Sequence, residues 1–260
     1  MFLTIDSPHN EQIKLLTKLL KQKKERDQHQ LMVLEGIHLL DAYLEQGYKP
    51  QSIFIAENKL QHPEINKLLT QLSNIKIYSI SEKAFSRLSQ HCSVTDIIAI
   101  APKPQSSALP IKQSCIILEN IQDSGNVGTI LRSAAAAGMN HVLLSSGCAD
   151  AYSPKVLRAA MGAHFLLQIH ENTDILAFLS NFTGTSIATA LDKHSNSLYQ
   201  TNLTGQIALI VGNEGAGVSQ AVLENVNQSI YIPMPGQTES LNVAMATTIC
   251  LFERVRQQQL

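Results

Sequence analysis

The feature that most constrains the fold is an alternation of short apolar runs with segments of helical periodicity along almost the whole chain. Short apolar runs fit β-strands, and apolar residues spaced three or four positions apart fit amphipathic helices. The alternation therefore predicts an α/β fold. The runs at 116–118 and 207–211 are apolar at every position, as strands of a parallel sheet covered on both faces require.

A proline- and serine-rich stretch, PKPQSSALP at 102–110, interrupts the alternation and is typical of a linker. It separates a predicted first domain, residues 1–101, from a larger second domain, residues 111–260. Strands are predicted at 31–34, 52–55, 75–79, 96–101, 115–118, 141–144, 165–169, 186–190, 207–211 and 229–232. Helices are predicted at 10–28, 36–46, 64–72, 82–88, 126–137, 154–160, 175–181, 220–224 and 241–257.

Composition excludes several classes of protein. No apolar run approaches the ~18 residues of a membrane-spanning helix, and the first residues lack the features of a signal peptide, so we expect a cytoplasmic protein with no membrane partner. Cys92, Cys115, Cys148 and Cys250 are far apart and predict reduced, mostly buried thiols rather than disulfides or a zinc site. The nine histidines form no H-x-x-x-H motif, so we expect no metal.

A basic stretch lies near the start of the chain, within the predicted first helix. Its candidate phosphate contacts are Lys14, Lys18, Lys21, Lys24 and Arg26. Such a stretch predicts electrostatic contact with the backbone of a nucleic acid. The alternative is a solvated, lysine-rich helix face, which is common on protein surfaces and stays open at this stage.

Three polar segments follow predicted strands, at the position where open α/β sheets bind ligands. They are NIQDSGNVGTILRSAAAAG at 120–138, VGNEGAGVS at 211–219 and IPMPGQTESLN at 232–242. We expect the three to share one site. The glycine spacing does not fit the dinucleotide fingerprint, and no phosphate-loop lysine is present, so a nucleotide-phosphate site is not expected.

Five residues within these segments are candidates for chemistry. Glu214, in the glycine-rich segment, is the one that neither capping nor packing explains. Arg132 lies two turns into a helix beside small side chains, where it can grip a phosphate or carboxylate, although pairing with a surface acid is an equal alternative. Asn126, Ser240 and Asn242 stand near helix starts, and each residue type is also a good helix N-cap.

Together and in this order, the three segments resemble the signature motifs of the SpoU family of RNA ribose 2′-O-methyltransferases, in the knotted SPOUT superfamily. The resemblance covers 115–254 closely, including SPKVLRAAMGAHF at 153–165. More loosely, the segment around MVLEGIHLL at 32–40 resembles the ribosomal protein L30e-like substrate-binding domain that many members carry. The resemblance implies a deep trefoil knot in the second domain, a homodimer, and S-adenosyl-L-methionine as cofactor.

The resemblance also implies roles for individual residues. The family's catalytic positions fall on Asn126, Arg132, Glu214, Ser240 and Asn242. Its cofactor positions fall on Ala190, Gly212, Asn213, Gly217, Ile232, Met234, Leu241, Asn242 and Val243. Because a guanidinium stays protonated, we expect Arg132 to grip the adjacent phosphate and stabilise the developing alkoxide rather than act as a base. Glu214 is expected to orient Arg132 or the first loop.

The implied activity is 2′-O-ribose methylation of structured RNA. Ribosomal RNA is favoured by the first domain, and transfer RNA is the alternative substrate. A catalytically silent RNA-binding or assembly protein with the same fold is the alternative from another class. Two departures from the family pattern bear on substrate identity: a Gln-Gly pair is missing before the linker, and Ala160 stands where serine is frequent.

Overall fold

The structure is a computed structural model that describes residues 3–7, 9–72, 74–81, 84, 85, 88 and 96–259. The chain forms two compact units: unit 1 comprises Met1–Pro104 and Tyr152–Phe165, and unit 2 comprises Gln105–Ala151 and Leu166–Leu260. Residues 152–165, which the sequence places inside the second domain, therefore pack within unit 1. The division after Pro104 lies within the predicted linker.

The regular elements follow the predicted alternation. In chain order the strands are β1 (Leu3–Ile5), β2 (Leu31–Glu35), β3 (Ser52–Ala56), β4 (Lys76–Ile80), β5 (Ile97–Pro102), β6 (Cys115–Leu118), β7 (His141–Leu144), β8 (Gln168–His170), β9 (Thr185–Thr189), β10 (Asn196–Ser197), β11 (Ile207–Val211) and β12 (Gln228–Tyr231). The helices are α1 (Glu11–Lys21), α2 (Lys23–His29), α3 (Ile37–Glu45), α4 (Pro63–Thr70), α5 (Ser124–Ala136), α6 (Pro154–Ala160), α7 (Ile175–Leu179), α8 (Gln220–Leu223) and α9 (Val243–Gln258). No helix in these ranges is both long and apolar enough to cross a membrane.

Unit 1 is built on a five-stranded mixed sheet with the order β1-β4-β3-β5-β2. β1, β4 and β3 run parallel, whereas β5 is antiparallel to both β3 and β2. α6 packs against β2. One face of the sheet is covered by the apolar side of α1, which buries Leu16 and Leu19 in a cluster with Val33, Phe54 and Ile98. The apolar periodicity of the first helix thus provides much of this core.

The predicted helix over 10–28 is two helices, because the chain is extended at Gln22 between α1 and α2. Arg26 of α2 folds back, and its guanidinium donates hydrogen bonds to the backbone carbonyls of Leu19 and Leu20. These carbonyls lie in the last turn of α1, where helical partners are lacking. Arg26 is only 4 % exposed, so the prediction that it contacts RNA is wrong: it caps α1.

Unit 2 contains a seven-stranded sheet with the order β10-β12-β9-β11-β6-β7-β8, in which every pairing is parallel. β11 and β6 lie at the centre and are buried at every position. Continuous apolar runs therefore became the central strands, since both faces of such a sheet are covered. The carboxyl ends of β12, β9, β11 and β6 consequently meet at one edge, called here the carboxyl edge.

Some local predictions differ from the structure. β1 and β10 were not predicted, because strands of three and two residues carry too few positions to show a period. The strand predicted at 165–169 begins only at Gln168, where pairing with His141 of β7 starts, and a 3-10 turn at Ala163–Phe165 precedes it. The predicted helix at 82–88 lies largely, and Cys92 wholly, outside the described residues.

Candidate active site at the carboxyl edge

The three polar segments lie at the carboxyl edge of the unit 2 sheet, as predicted. The first loop joins β6 to α5 and here includes the first turn of that helix, which carries Asn126. The second loop joins β11 to α8, and the third joins β12 to α9. β6 and β11 pair directly, and β9 lies between β11 and β12. Strand order therefore brings together three loops that are separated by up to about a hundred residues in the sequence.

A chain of side-chain hydrogen bonds connects the three loops. Asn242 Nδ2 donates to Asn126 Oδ1 at 2.9 Å, and Asn126 Nδ2 donates to Glu214 Oε1 at 2.8 Å. Asn242 Oδ1 in turn accepts from the backbone N–H of Ala244 at 2.9 Å and of Met245 at 3.3 Å, so it is also the N-cap of α9. One candidate from each loop is thus held in a single network, here called the Asn-Asn-Glu chain.

Asn126 is not a helix cap, contrary to one of the two interpretations that its position allowed. Asp123 is the N-cap of α5, and its Oδ1 accepts from the backbone N–H of Asn126 at 2.8 Å. The side chain of Asn126 is therefore free of capping and points its amide toward the other two loops. α5 and α9 also pack together, and Ser133 Oγ lies 2.7 Å from Thr248 Oγ1.

The second loop is closed on itself by Asn213. Its Oδ1 accepts from the backbone N–H of Gly215 at 2.9 Å and of Ala216 at 3.1 Å, while its carbonyl accepts from Gly217 N–H at 2.9 Å. Gly217 has φ +70°, a conformation that favours glycine. Gly212 needs glycine for a different reason, because a Cβ there would lie 2.2 Å from the backbone of Gly217. Glu214 therefore sits at the tip of a rigid turn.

The second loop is anchored to the first at both ends. Asn213 Nδ2 donates to the carbonyl of Asn120 at 2.9 Å. At the other end, the Glu119 carboxylate accepts from Ser219 N–H at 2.8 Å and from Ser219 Oγ–H at 2.6 Å. Glu119 is 7 % exposed, and our sequence analysis missed it. The available indication was an acidic residue directly after a fully apolar strand, where a carboxylate needs hydrogen-bond donors to be buried.

Arg132 is not part of this network. It is exposed on α5, and within the described part of the chain no residue makes a hydrogen bond or ion pair with it. It follows Asn126 by six positions, which is a distance of about 9 Å along the helix axis. No contact between Glu214 and Arg132 supports the expectation that Glu214 orients Arg132. The bond from Asn126 to Glu214 agrees with the alternative, in which Glu214 orients the first loop.

The predicted cofactor residues lie at the carboxyl edge too. Ala190 follows β9, and its N–H donates to the carbonyl of Ile230 at 2.9 Å. The third loop carries the half-buried side chains of Ile232, Met234 and Val243 and the exposed side chains of Ser240 and Leu241. Within the described part of the chain, no backbone–backbone hydrogen bond involves residues 232–241. Free N–H and C=O groups beside apolar side chains suit a ligand with a neutral heterocycle and an apolar chain.

The three cysteines within the described residues are poor candidates for a nucleophile. Burial raises the pKa of the Cys115 and Cys250 thiols to about 12 and also raises that of Cys148. Cys148 lies beside the first loop, but its thiol donates to the carbonyl of Leu118 at 3.2 Å. These three residues are free thiols. Among the residues described, no cluster of three or more His, Cys, Asp or Glu has the arrangement of a metal site.

Two family models match the chain. Residues 113–252 match the SpoU rRNA Methylase family, and residues 10–99 match the MRM3-like substrate binding domain. The first match covers more than half of the chain and contains every residue of the Asn-Asn-Glu chain.

Individual relatives match over nearly the full length. The chain is 32 % identical to the 23S rRNA (guanosine(2553)-2′-O)-methyltransferase RlmP of Bacillus subtilis, over 95 % of this chain and 97 % of the relative. The crystal structure of an AdoMet-bound rRNA methyltransferase from Sinorhizobium meliloti superposes with a TM-score of 0.83 at 26 % identity and covers 98 % of both chains. That of an RNA 2′-O ribose methyltransferase gives 0.82 at 30 % identity, over 99 % of this chain and 100 % of the other. The first family model covers more than half of the chain, the Bacillus subtilis relative is more than 30 % identical over nearly its whole length, and the chain belongs to the SpoU rRNA methylase family.

Proposed function

We propose that the protein is an S-adenosyl-L-methionine-dependent methyltransferase that modifies the ribose 2′-oxygen of ribosomal RNA. The observation that carries the proposal is the Asn-Asn-Glu chain, which ties one polar residue from each of the three loops into one network. A protein that had kept only the fold would have no need for exposed polar residues bonded across three loops. This network speaks against the catalytically silent alternative.

The third loop and the second loop are the proposed cofactor wall. S-adenosyl-L-methionine supplies an electrophilic methyl group on a sulfonium. The backbone groups of Gly212, Ile232 and Leu241 would hold its neutral parts, since the side chains there offer apolar surface rather than charge. Ala190, Asn213, Gly217, Met234 and Val243 complete the proposed wall.

Arg132 is the proposed clamp for the RNA backbone. Its exposed guanidinium has five N–H donors in a planar fork, which suits a phosphate adjacent to the reacting ribose. The same positive charge would stabilise negative charge that develops on the 2′-oxygen. Ser240, exposed in the third loop, is a second proposed donor to the RNA.

Unit 1 is the proposed RNA-binding domain. The domain boundaries that the sequence predicts are 1–101 for this domain, 102–110 for the linker and 111–260 for the catalytic domain. Unit 1 matches a substrate-binding family, which favours ribosomal RNA over transfer RNA. Lys14, Lys18, Lys21 and Lys24 are exposed on α1 and α2 and can contact phosphates. Lys14 and Lys18 lie within 2.7 Å and 4.0 Å of Glu11 and Glu25, so Lys21 and Lys24 carry the less neutralised charge. Such binding weakens steeply with salt.

A homodimer formed through unit 2 is proposed from the outer face of α9. Met245 and Phe252 are seven residues apart, on one side of the helix, and are 56 % and 46 % exposed. Large apolar side chains exposed together at helical spacing are typical of an interface. Membership of the family supports a trefoil knot that includes the third loop, and the bacterial relative supports a cytoplasmic location.

The test is transfer of labelled methyl from S-adenosyl-L-methionine to three unmodified substrates: free ribosomal RNA, ribosomal subunits and transfer RNA. We expect label in a ribosomal substrate, in a linkage that resists alkali as a 2′-O-methylated nucleotide does, and its loss in the Asn242→Ala variant. Label in transfer RNA alone would assign the alternative substrate. Cofactor binding without label in any of the three would favour the silent RNA-binding protein.

A further inference from the structure

The direction of every hydrogen bond in the Asn-Asn-Glu chain follows from the start of α9. Backbone N–H groups can only donate, so the atom of Asn242 that faces Ala244 and Met245 must be its oxygen. Its Nδ2 therefore faces Asn126 and donates to Oδ1. Asn126 must then present its own Nδ2 to Glu214. The network ends on Glu214 Oε1, which accepts the last of these hydrogen bonds.

Glu214 keeps one oxygen for another partner. Oε1 accepts from Asn126, and across the residues described here Asn126 is the one group that hydrogen-bonds to this carboxylate. The side chain is exposed, at the tip of the turn that Asn213 closes. Oε2 is thus a positioned acceptor with free lone pairs at the carboxyl edge, on the same surface as the proposed cofactor wall.

Other groups at this edge are poorer proton acceptors. Arg132 is a permanent cation, and the amides of Asn126 and Asn242 have no basic atom. Glu119 is buried with both oxygens bound by Ser219. Glu239 in the third loop is an exposed carboxylate, but no described contact holds it in place. Asp123 and Asp192 are exposed carboxylates as well, but each accepts a backbone N–H of its own segment, from Asn126 and His194. Glu214 is the exposed carboxylate that a side chain from another loop holds in place.

We infer that Glu214 is the general base of the reaction, with Arg132 confined to phosphate and alkoxide stabilisation. This inference rests on the proposed function. The ribose 2′-oxygen gives its proton to Oε2 and forms a bond to the methyl carbon. The carbon–sulfur bond breaks with its electron pair remaining on sulfur, which leaves neutral S-adenosyl-L-homocysteine. Glu214 then releases the proton to solvent, so atoms and charge balance without a further reactant.

Glu214→Gln separates proton transfer from positioning, because a glutamine Oε1 can still accept from Asn126 Nδ2 but cannot take a proton. General bases contribute about 10²- to 10⁴-fold. We expect the single-turnover methylation rate of Glu214→Gln to fall at least about 100-fold, with the Kd for S-adenosyl-L-methionine and the Tm unchanged. Glu239→Gln, which removes the same charge from the unanchored carboxylate, is the matched control and should keep the wild-type rate.

Chemical rescue completes the test. Formate, a small carboxylate, should restore part of the rate to Glu214→Ala. An active wild type with a Glu214→Gln variant within about fivefold of it, a window far below the contribution of a general base, would overturn the role of Glu214 and leave the proposed methyltransferase activity standing.

Discussion

The two ends of α9 use polar residues in opposite ways. At its start, Asn242 is exposed and bonds to a side chain of another loop at the carboxyl edge. Toward its end, Glu253 is 7 % exposed, and Gln257 Nε2 donates to the carbonyl of Thr201 at 3.0 Å while Gln257 Oε1 accepts from Leu203 N–H at 2.8 Å. Gln257 is half-buried and bonded to the backbone, so it supports the fold, whereas Asn242 is exposed and bonded to a side chain of another loop at the site.

The same contrast separates the two edges of the unit 2 sheet. A depression of about 490 Å³ lies at the amino edge, bordered by the first residues of β9, β11 and β12: Thr185, Ile207 and Gln228. Its polar lining is uncharged and includes none of the residues predicted for catalysis or cofactor binding. The carboxyl edge holds the connected polar side chains of Asn242, Asn126 and Glu214. The connected polar side chains at the strand ends, rather than the volume of a surface depression, therefore identify the candidate site.

The sharpest test of this contrast changes one polar group at each end of α9. Asn242→Asp keeps an oxygen that caps the helix but removes the donor to Asn126. Losing one positioned donor from an active site costs about 10² to 10³ in rate, so we expect a loss of that size in methyl transfer. Aspartate is as good an N-cap as asparagine, so the free energy of unfolding in urea should change by less than about 0.5 kcal/mol.

The matched variant at the other end is Gln257→Ala. It leaves the carbonyl of Thr201 and the N–H of Leu203 without their partner, which should cost about 1–3 kcal/mol of unfolding free energy. The single-turnover rate at a temperature where the variant is folded should stay at the wild-type value. A Gln257→Ala variant that is stable but slow, or an Asn242→Asp variant that is fast, would break the comparison.

Glu119 is an intermediate case, because it is buried like the residues that support the fold but lies at the carboxyl edge like those of the site. Variants of Glu119 test which of the two roles it has. Glu119→Ala leaves the N–H and O–H of Ser219 without an acceptor, so we expect a loss of about 1–3 kcal/mol in unfolding free energy. Displacement of the second loop should also slow methylation roughly tenfold, since active-site geometry tolerates little misplacement. Glu119→Gln retains an acceptor oxygen and should recover most of both losses. If Glu119→Ala loses stability alone, the carboxylate serves only the fold.

The smallest expected effect concerns Glu253 and acid stability. Hydrogen bonds from Arg256 and then Gln257 lower the pKa of Glu253 from its ordinary 4.5 to about 2. A lowered pKa stabilises the folded state above pH 4.5, and this contribution is lost as the pH falls toward 2. The contribution should be on the order of 1 kcal/mol, because Arg256 is exposed to solvent and the pair is screened.

The urea midpoint measured between pH 6 and about 3 checks this expectation. Glu253→Gln should show a shallower fall in midpoint than the wild type. Arg256→Gln removes the largest cause of the shift and should flatten the profile similarly, with methyl transfer at neutral pH unchanged. Equal acid slopes in all three proteins would contradict the role given to this pair.

Much of the site could be predicted from the chain because its determinants are local. Apolar runs marked β6 and β11, and the polar segments after them marked the loops that carry Asn126 and Glu214. Glu119 was missed because burial of a carboxylate depends on Ser219, a hundred residues away. The role of Arg26 was mistaken for a related reason: a lysine-rich neighbourhood suggests solvent, yet the guanidinium turns inward to two carbonyls of the preceding helix.

The amino-acid sequence by itself determined the α/β class, the central buried strands, the three loops and the family, because periodicity and motif order are properties of neighbouring residues. Only the tertiary structure decided that residues 152–165 pack within unit 1, that the first helix breaks at Gln22, and that Asn242, Asn126 and Glu214 form one directed chain. Those outcomes depend on pairing between distant strands and on which buried polar groups find partners, and neither is encoded in any short stretch of the chain.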